Sequence, residues 1–233
     1  MNATNRLWRA VAGDLLRQQR YQIITIATAV TIIYILIFYF LPGASQDQVV
    51  LFLIFNDPVA LGMLFTGSMY LFEKSENTLQ ALTVTPLRAG EYLGSKVITF
   101  TLLSLAASLA MAFAAWGWAF AKLPLIIGVS LTASLFTLLG MVVVVGARSF
   151  NEYVIKVGIF MIPVALPILN FFGLTQNYLF YAIPAQPALL LLEAARSPIH
   201  TWQWAYSLLY LVLWNWLAYR WAIQRLRLKE GFT

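Results

Sequence analysis

Ionisable side chains are scarce in this 233-residue chain, and only three groups of them are spaced so that chemistry could follow. Asp57 stands beside Pro58 in an otherwise apolar stretch. A carboxylate there suits a proton or cation site, although burying it costs about 2.5–3.5 kcal/mol on insertion scales. The same dipeptide is also the usual start of a helix, with Asp as the N-cap and Pro at the first turn. Glu193, Arg196 and His200 lie close together, but no nucleophile is placed among them for a hydrolytic triad, so surface ion pairing is expected. The third group is the string "EKSENTLQALTVTPLRAGEYLGSK", residues 73–96. Within it "GEYLGSKV" approaches a phosphate-cradling loop. Its spacing is too short, and Val97 stands where Ser or Thr should hold magnesium. Cysteine is absent and histidine occurs once, which removes thiolate chemistry, disulfides and multi-histidine metal motifs. Neither a catalytic constellation nor a metal site is predicted.

The elements that must carry these residues are set by composition. Hydrophobic residues make up 61% of the chain and charged ones 10%, with a mean hydropathy of +0.77. A globular domain carries about 25% charged residues, so this chain must take lipid as its main solvent. The expected class is an all-α integral membrane protein forming one domain. The N-terminal "MNATNRLWRAVAGDLLRQQR" is too polar for a cleaved signal peptide. Residues 5–20 instead pattern as an amphipathic helix. Leu7, Trp8, Val11, Ala12, Leu15 and Leu16 form one face and Arg6, Arg9, Arg17 and Arg20 the other. Such a helix lies in the headgroup plane.

Six spans are expected at about 21–41, 57–77, 97–121, 124–146, 154–172 and 201–222, each near the roughly 20 residues that a bilayer requires. The second begins at Asp57 if that residue caps it, leaving 49–55 as an extended or re-entrant lead-in. Residues 176–195, broken by Pro184 and Pro187, are too short to cross, so they should dip in and return between other helices. Pro163 and Pro167 predict a kink in the fifth span, and beside the re-entrant segment they could form a gate. A static bend would carry the same prolines. Small residues in the third span, Ser104, Ala107, Ser108 and Ala110 among them, permit close helix packing.

Charge asymmetry sets the orientation. With the N-terminus inside, thirteen of the fifteen Lys and Arg residues face the cytosol, leaving only Lys122 and Arg196 outside. Both termini are then cytosolic. No nucleic-acid partner is expected. The string 73–96 becomes the largest cytosolic loop. Leu79, Leu82 and Val84 among Thr, Gln and Asn allow a short helix with a small apolar patch, and Thr85-Pro86 repeats a cap signal that would start the third span. A short helix held at the inner surface can be pushed by a partner; a solvated connector would look the same.

Asp57-Pro58, Leu61-Gly62, Phe65, Gly67, Glu73-Lys74, Thr78-Leu79, Ala81-Leu82, Val84-Thr85-Pro86-Leu87, Glu91-Tyr92-Leu93 and Lys96 together resemble the type 2 ATP-binding-cassette exporter permeases. The similarity is greatest to their small drug-export members, the fluoroquinolone-export group. The motif covers some forty residues. The six-span layout and the amphipathic N-terminal helix fit the family over the whole chain. The resemblance implies a permease subunit that moves an amphipathic substrate outward, with export of haem or lipid as the alternative within the family. It also implies a second permease copy, or a similar chain, and two separate ATPase subunits that would bind ATP and magnesium. By the same resemblance the coupling helix seated in the ATPase comprises Glu76, Asn77, Thr78, Leu79, Gln80, Ala81, Leu82, Thr83 and Val84, with Glu73 and Lys74 at the membrane edge. Asn77 stands where many relatives have glycine.

Overall fold

The computed structural model describes residues 3–40 and 46–230, which are entirely helical in their regular structure. Eleven α-helices are described: α1 Ala3–Arg20, α2 Ile23–Phe40, α3 Gln46–Ala60, α4 Thr66–Ser75, α5 Thr78–Thr83, α6 Ala89–Trp116, α7 Lys122–Val144, α8 Phe150–Ala165, α9 Pro167–Phe171, α10 Ala185–Glu193 and α11 Thr201–Glu230. The expected end of the first span, residue 41, falls outside the described residues.

Four stretches are long and apolar enough to cross a membrane: Asp47–Ser75, Ala89–Trp116, Lys122–Val144 and Phe150–Phe171. A fifth arises if α1 and α2, bent by 65° at their junction, count as one broken span. That bend sits at Gln22, whose φ of 61° places it in the left-handed region. The sixth expected span is α11, a 30-residue helix. Its Trp202, Trp204, Trp214, Trp216, Tyr206 and Tyr210 make it less apolar than the other four.

The α1 helix does not present its faces as patterning alone suggests. Trp8, Leu15 and Leu16 point away from the protein, whereas Val11, Asp14 and Gln18 are buried against it. The inward face is therefore partly polar, and α1 packs mainly on α6.

The expectation that Asp57 caps a helix is overturned. Residues 46–60 are already helical, so 49–55 is neither extended nor a separate lead-in, and Asp57-Pro58 lies in mid-helix. A helix-interior proline loses one hydrogen bond and crowds the carbonyl four residues back. Here the chain widens into a π-turn at Leu61–Phe65 directly afterwards, a known way for a helix to absorb such a disturbance. The wide turn is packed tightly against α7. A Cβ on Gly140 would lie 2.7 Å from the Gly62 carbonyl oxygen, so the two backbones meet without side chains between them.

The third span also starts elsewhere than expected. Thr85-Pro86 sits in a turn, with the Thr85 hydroxyl donating to the Leu82 carbonyl at 2.6 Å. The helix begins at Ala89, where the Glu91 carboxylate accepts the Arg88 N–H at 2.9 Å. Glu91 takes the Arg88 N–H, while Thr85 Oγ1 accepts the Leu87 N–H only at 3.4 Å.

Pro163 lies inside α8 and Pro167 opens α9. The two helices still pass as one span from Phe150 to Phe171, without the sharp break seen between α1 and α2. Pro184 precedes α10, and Pro187 lies in its first turn. Residues 176–195 form a short 3-10 turn, Tyr178–Ala182, and the buried helix α10. α10 packs on α3, α7 and α11, so protein, not lipid, covers it.

The core runs between α3, α6, α7, α10 and α11. One polar residue within it is fully used. Asn215 of α11 accepts from the Ser134 hydroxyl at 2.6 Å and donates to the Leu131 carbonyl of α7 at 3.0 Å. In lipid such interhelical bonds hold spans together.

Candidate functional site

The polar string of residues 73–96 divides into two layers. Its first residues complete α4, which ends at Ser75. Glu76 closes that helix, and its backbone N–H donates to the Phe72 carbonyl at 3.0 Å. Asn77 then takes φ 57° and ψ 10°, and α5 follows immediately. Asn and Gly are the residues that adopt this left-handed geometry readily. Asn77 therefore suits the turn that it makes here.

The faces of α5 separate cleanly. Leu79 is 1% exposed and inserts into the hydrophobic core, and half-buried Leu82 packs against the same core. Gln80 and Ala81 face outward, and Val84 directly after the helix is 87% exposed. Thr78 opens the helix half-buried, and Thr83 is its last residue. The apolar patch expected to meet a partner is thus turned inward at Leu79. The outward surface consists of Glu76, Asn77, Gln80, Ala81 and Val84.

Behind this surface lies a cluster that the sequence did not reveal. Glu73, expected with Lys74 at the membrane edge, and Lys96 have no exposed side-chain surface and form an ion pair at 2.8 Å. The Tyr92 hydroxyl donates to Glu73 Oε2 at 2.6 Å, and Arg17 Nη1 donates to Glu73 Oε1 at 3.0 Å. Asp14 completes the set. It lies 2.8 Å from Arg17 and 3.6 Å from Lys96, and it accepts the Ser95 hydroxyl at 2.6 Å. Burial raises the Asp14 carboxyl above its ordinary range, and the Lys96 charge pulls in the opposite direction. Two carboxylates and two cations balance, which is how charges persist away from water. Three separate elements supply them: Asp14 and Arg17 from α1, Glu73 from α4, Tyr92, Ser95 and Lys96 from α6.

Further pairs frame the same end of the molecule. Arg6 donates to Glu91 at 2.8 Å, joining α1 to the start of α6. Tyr21 donates to Glu76 at 2.9 Å. Lys74 Nζ meets Glu230 at 2.9 Å, and the Tyr70 hydroxyl donates to the same carboxylate, so α4 is tied to the last residue of α11. A cavity of about 300 Å³ opens between Arg6, Arg17, Leu82 and Pro86.

The opposite end is closed by different partners from those expected. Arg196 binds Asp47 at 2.9 Å, not Glu193, while the Trp116 indole donates to Asp47 at 2.7 Å. Gln203, not a charged neighbour, accepts the His200 backbone N–H at 2.9 Å. Asp57 is 4% exposed, and its Oδ2 has no hydrogen-bond partner.

Of these contacts, the sequence offered one faint signal. Asp14 is the single acid on an otherwise basic amphipathic helix, a placement that asks for an internal partner. Glu230 gave none.

A bundle of apolar helices with polar ends, one of them closed by a short surface helix, defines a multi-pass membrane protein. The sequence profile of the fluoroquinolones export permease protein family matches residues 5–228, and the chain belongs to that family. It is 29% identical, over 214 residues covering 89% of each chain, to the fluoroquinolones export permease proteins of two Mycobacterium tuberculosis strains, CDC 1551 / Oshkosh and H37Rv. Membership agrees with the resemblance to ATP-binding-cassette exporter permeases and makes this chain an export permease by family.

Proposed function

We propose that the chain is the membrane subunit of an ATP-driven exporter in which α5 transmits movement from separate ATPase subunits. The observation that carries this is the construction of α5, a short helix on a left-handed hinge, anchored by Leu79 and presenting Gln80, Ala81 and Val84. A solvated connector would need no buried anchor. It would also need no balanced ion cluster behind it to carry a push into α4 and α6.

In this mechanism the ATPases bind ATP and magnesium, close, and press on α5. The Glu73–Lys96 pair passes the displacement to the second and third spans. Six spans per subunit and a second permease copy enclose a path for an amphipathic, drug-like substrate. The termini and α5 face the cytosol of a prokaryotic inner membrane, and α1 lies in the headgroup plane.

The test is co-purification from native membranes in mild detergent. We expect an ATPase subunit in stoichiometric amount, lost in an Ala81→Asp/Val84→Asp variant whose helical content and melting are unchanged. A chain that purifies alone in every detergent, or a variant that keeps its ATPase, overturns the assignment. A second reading, ion-coupled transport, draws on the buried and unpartnered Asp57 Oδ2. Full transport by Asp57→Asn would dismiss it.

A further inference from the structure

α8 and α11 both lean on α7 and scarcely meet each other. The gap between them is a groove of about 450 Å³. Its wall toward the bilayer centre is apolar. Leu139 and Val143 of α7 line it, with Ile159 and Phe160 of α8, and Ile159 is 65% exposed to whatever fills the space. Its other end holds two cations from different helices.

Those cations are fixed rather than loose. Lys156 Nζ donates to the Gly146 carbonyl at 3.0 Å, just past the end of α7. Arg225 Nη1 donates to the Val142 carbonyl at 3.2 Å and would come within 3.3 Å of a Cβ built on Gly146. Both groups therefore converge on the last turn of α7, whose carbonyl oxygens favour positive charge. Lys156 also pairs with Glu152 at 2.6 Å. Arg225 has no carboxylate within ion-pair distance among the described residues, and its guanidinium lies 5.4 Å from the centre of the Trp221 ring. An aromatic residue beside two cations at the end of a span marks headgroup depth.

We propose that this groove binds one anionic phospholipid, with an acyl chain along Leu139, Val143 and Ile159 and its phosphate between Lys156 and Arg225. A zwitterionic lipid would bring a choline or ethanolamine cation to two existing cations. A free anion would leave the apolar wall unfilled. The site requires only that the chain spans a membrane, so it does not depend on α5 or on any ATPase.

The experiment is native mass spectrometry of the full chain released from vesicles of phosphatidylcholine and phosphatidylglycerol in equal amounts. The wild type should retain phosphatidylglycerol in preference. Each juxtamembrane cation supplies a factor of about five toward an anionic lipid. Lys156→Gln should weaken the preference by that factor, and Lys156→Gln/Arg225→Gln by roughly twenty-five. Val143→Trp keeps both cations but fills the groove, so it should expel both lipids. It also covers the case in which the Arg225 variant does not fold. Unchanged preference in Lys156→Gln, or a retained lipid in Val143→Trp, overturns the proposal. Displacement of the lipid by millimolar inorganic phosphate alone would make this a simple anion site and overturn it equally.

Discussion

Lys96 is the residue on which most of the polar end depends. It has no exposed side-chain surface, yet it faces Glu73 at 2.8 Å and Asp14 at 3.6 Å. Removing one partner from a buried ion pair leaves the other charge without compensation, at a cost of about 3–5 kcal/mol. Lys96→Met should therefore lower the melting temperature in detergent sharply, and Glu73→Gln/Lys96→Met should recover part of the loss. Equal destabilisation in both variants would show that the pair is not coupled. Gly67 sets a second residue-scale limit. A Cβ there would sit 2.1 Å from the Tyr153 ring, whose hydroxyl donates to the Met63 carbonyl in the π-turn. Gly67→Ala should lower the melting temperature strongly, and Gly67→Ala/Tyr153→Leu should melt higher than Gly67→Ala alone. These contacts join residues 23 to 90 positions apart. No local pattern reports such a distance, and so the cluster was hidden while each of its members was visible.

At the scale of elements, α5 makes the sharpest predictions because its faces differ so clearly. Leu79→Asp would place a carboxylate in the core and should lower expression and melting, whereas Val84→Asp should leave both unchanged. Asn77→Gly keeps the left-handed turn and should be near neutral. Asn77→Val forces a β-branched side chain into that turn and should cost about 1–2 kcal/mol, read as a lower melting temperature. The positions of the long helices were legible because roughly 20-residue apolar runs have few other uses. Their starts were not. Asp-Pro and Thr-Pro each carry a true local preference for a helix start. Neither prevailed, because a π-turn lets Pro58 sit in mid-helix and the local Arg88–Glu91 capping box starts α6 at Ala89 instead. Leu79 was correctly placed on a short helix, but patterning could not say which way so small an apolar patch would turn.

Across the whole molecule, charge is sorted toward the two ends. Asp47, Trp116 and Arg196 close one end, and the cluster around Glu73 closes the other. The final turn of α11 belongs to the second group through Glu230, which holds both Lys74 and Tyr70. Glu230→Gln should loosen the end of α4 without unfolding the bundle, seen as faster amide exchange at residues 70–77. Unchanged exchange there would mean that the tie carries no mechanical load. The α8 helix contributes least to the bundle core, with Ile155, Ile159 and Ile162 all more than 60% exposed, and so it offers surface to lipid or to a second subunit.

Because Asp14 and Arg17 fasten α1 to α4 and α6, the stroke proposed for α5 would carry the amphipathic helix with it. Its outward Trp8 and Leu16 would be dragged through the lipid surface like a paddle through a viscous film. In the proposed mechanism the bilayer's lateral pressure would become part of the load on every stroke, and a stiffer or more crowded leaflet would slow export without touching its fuel or its cargo.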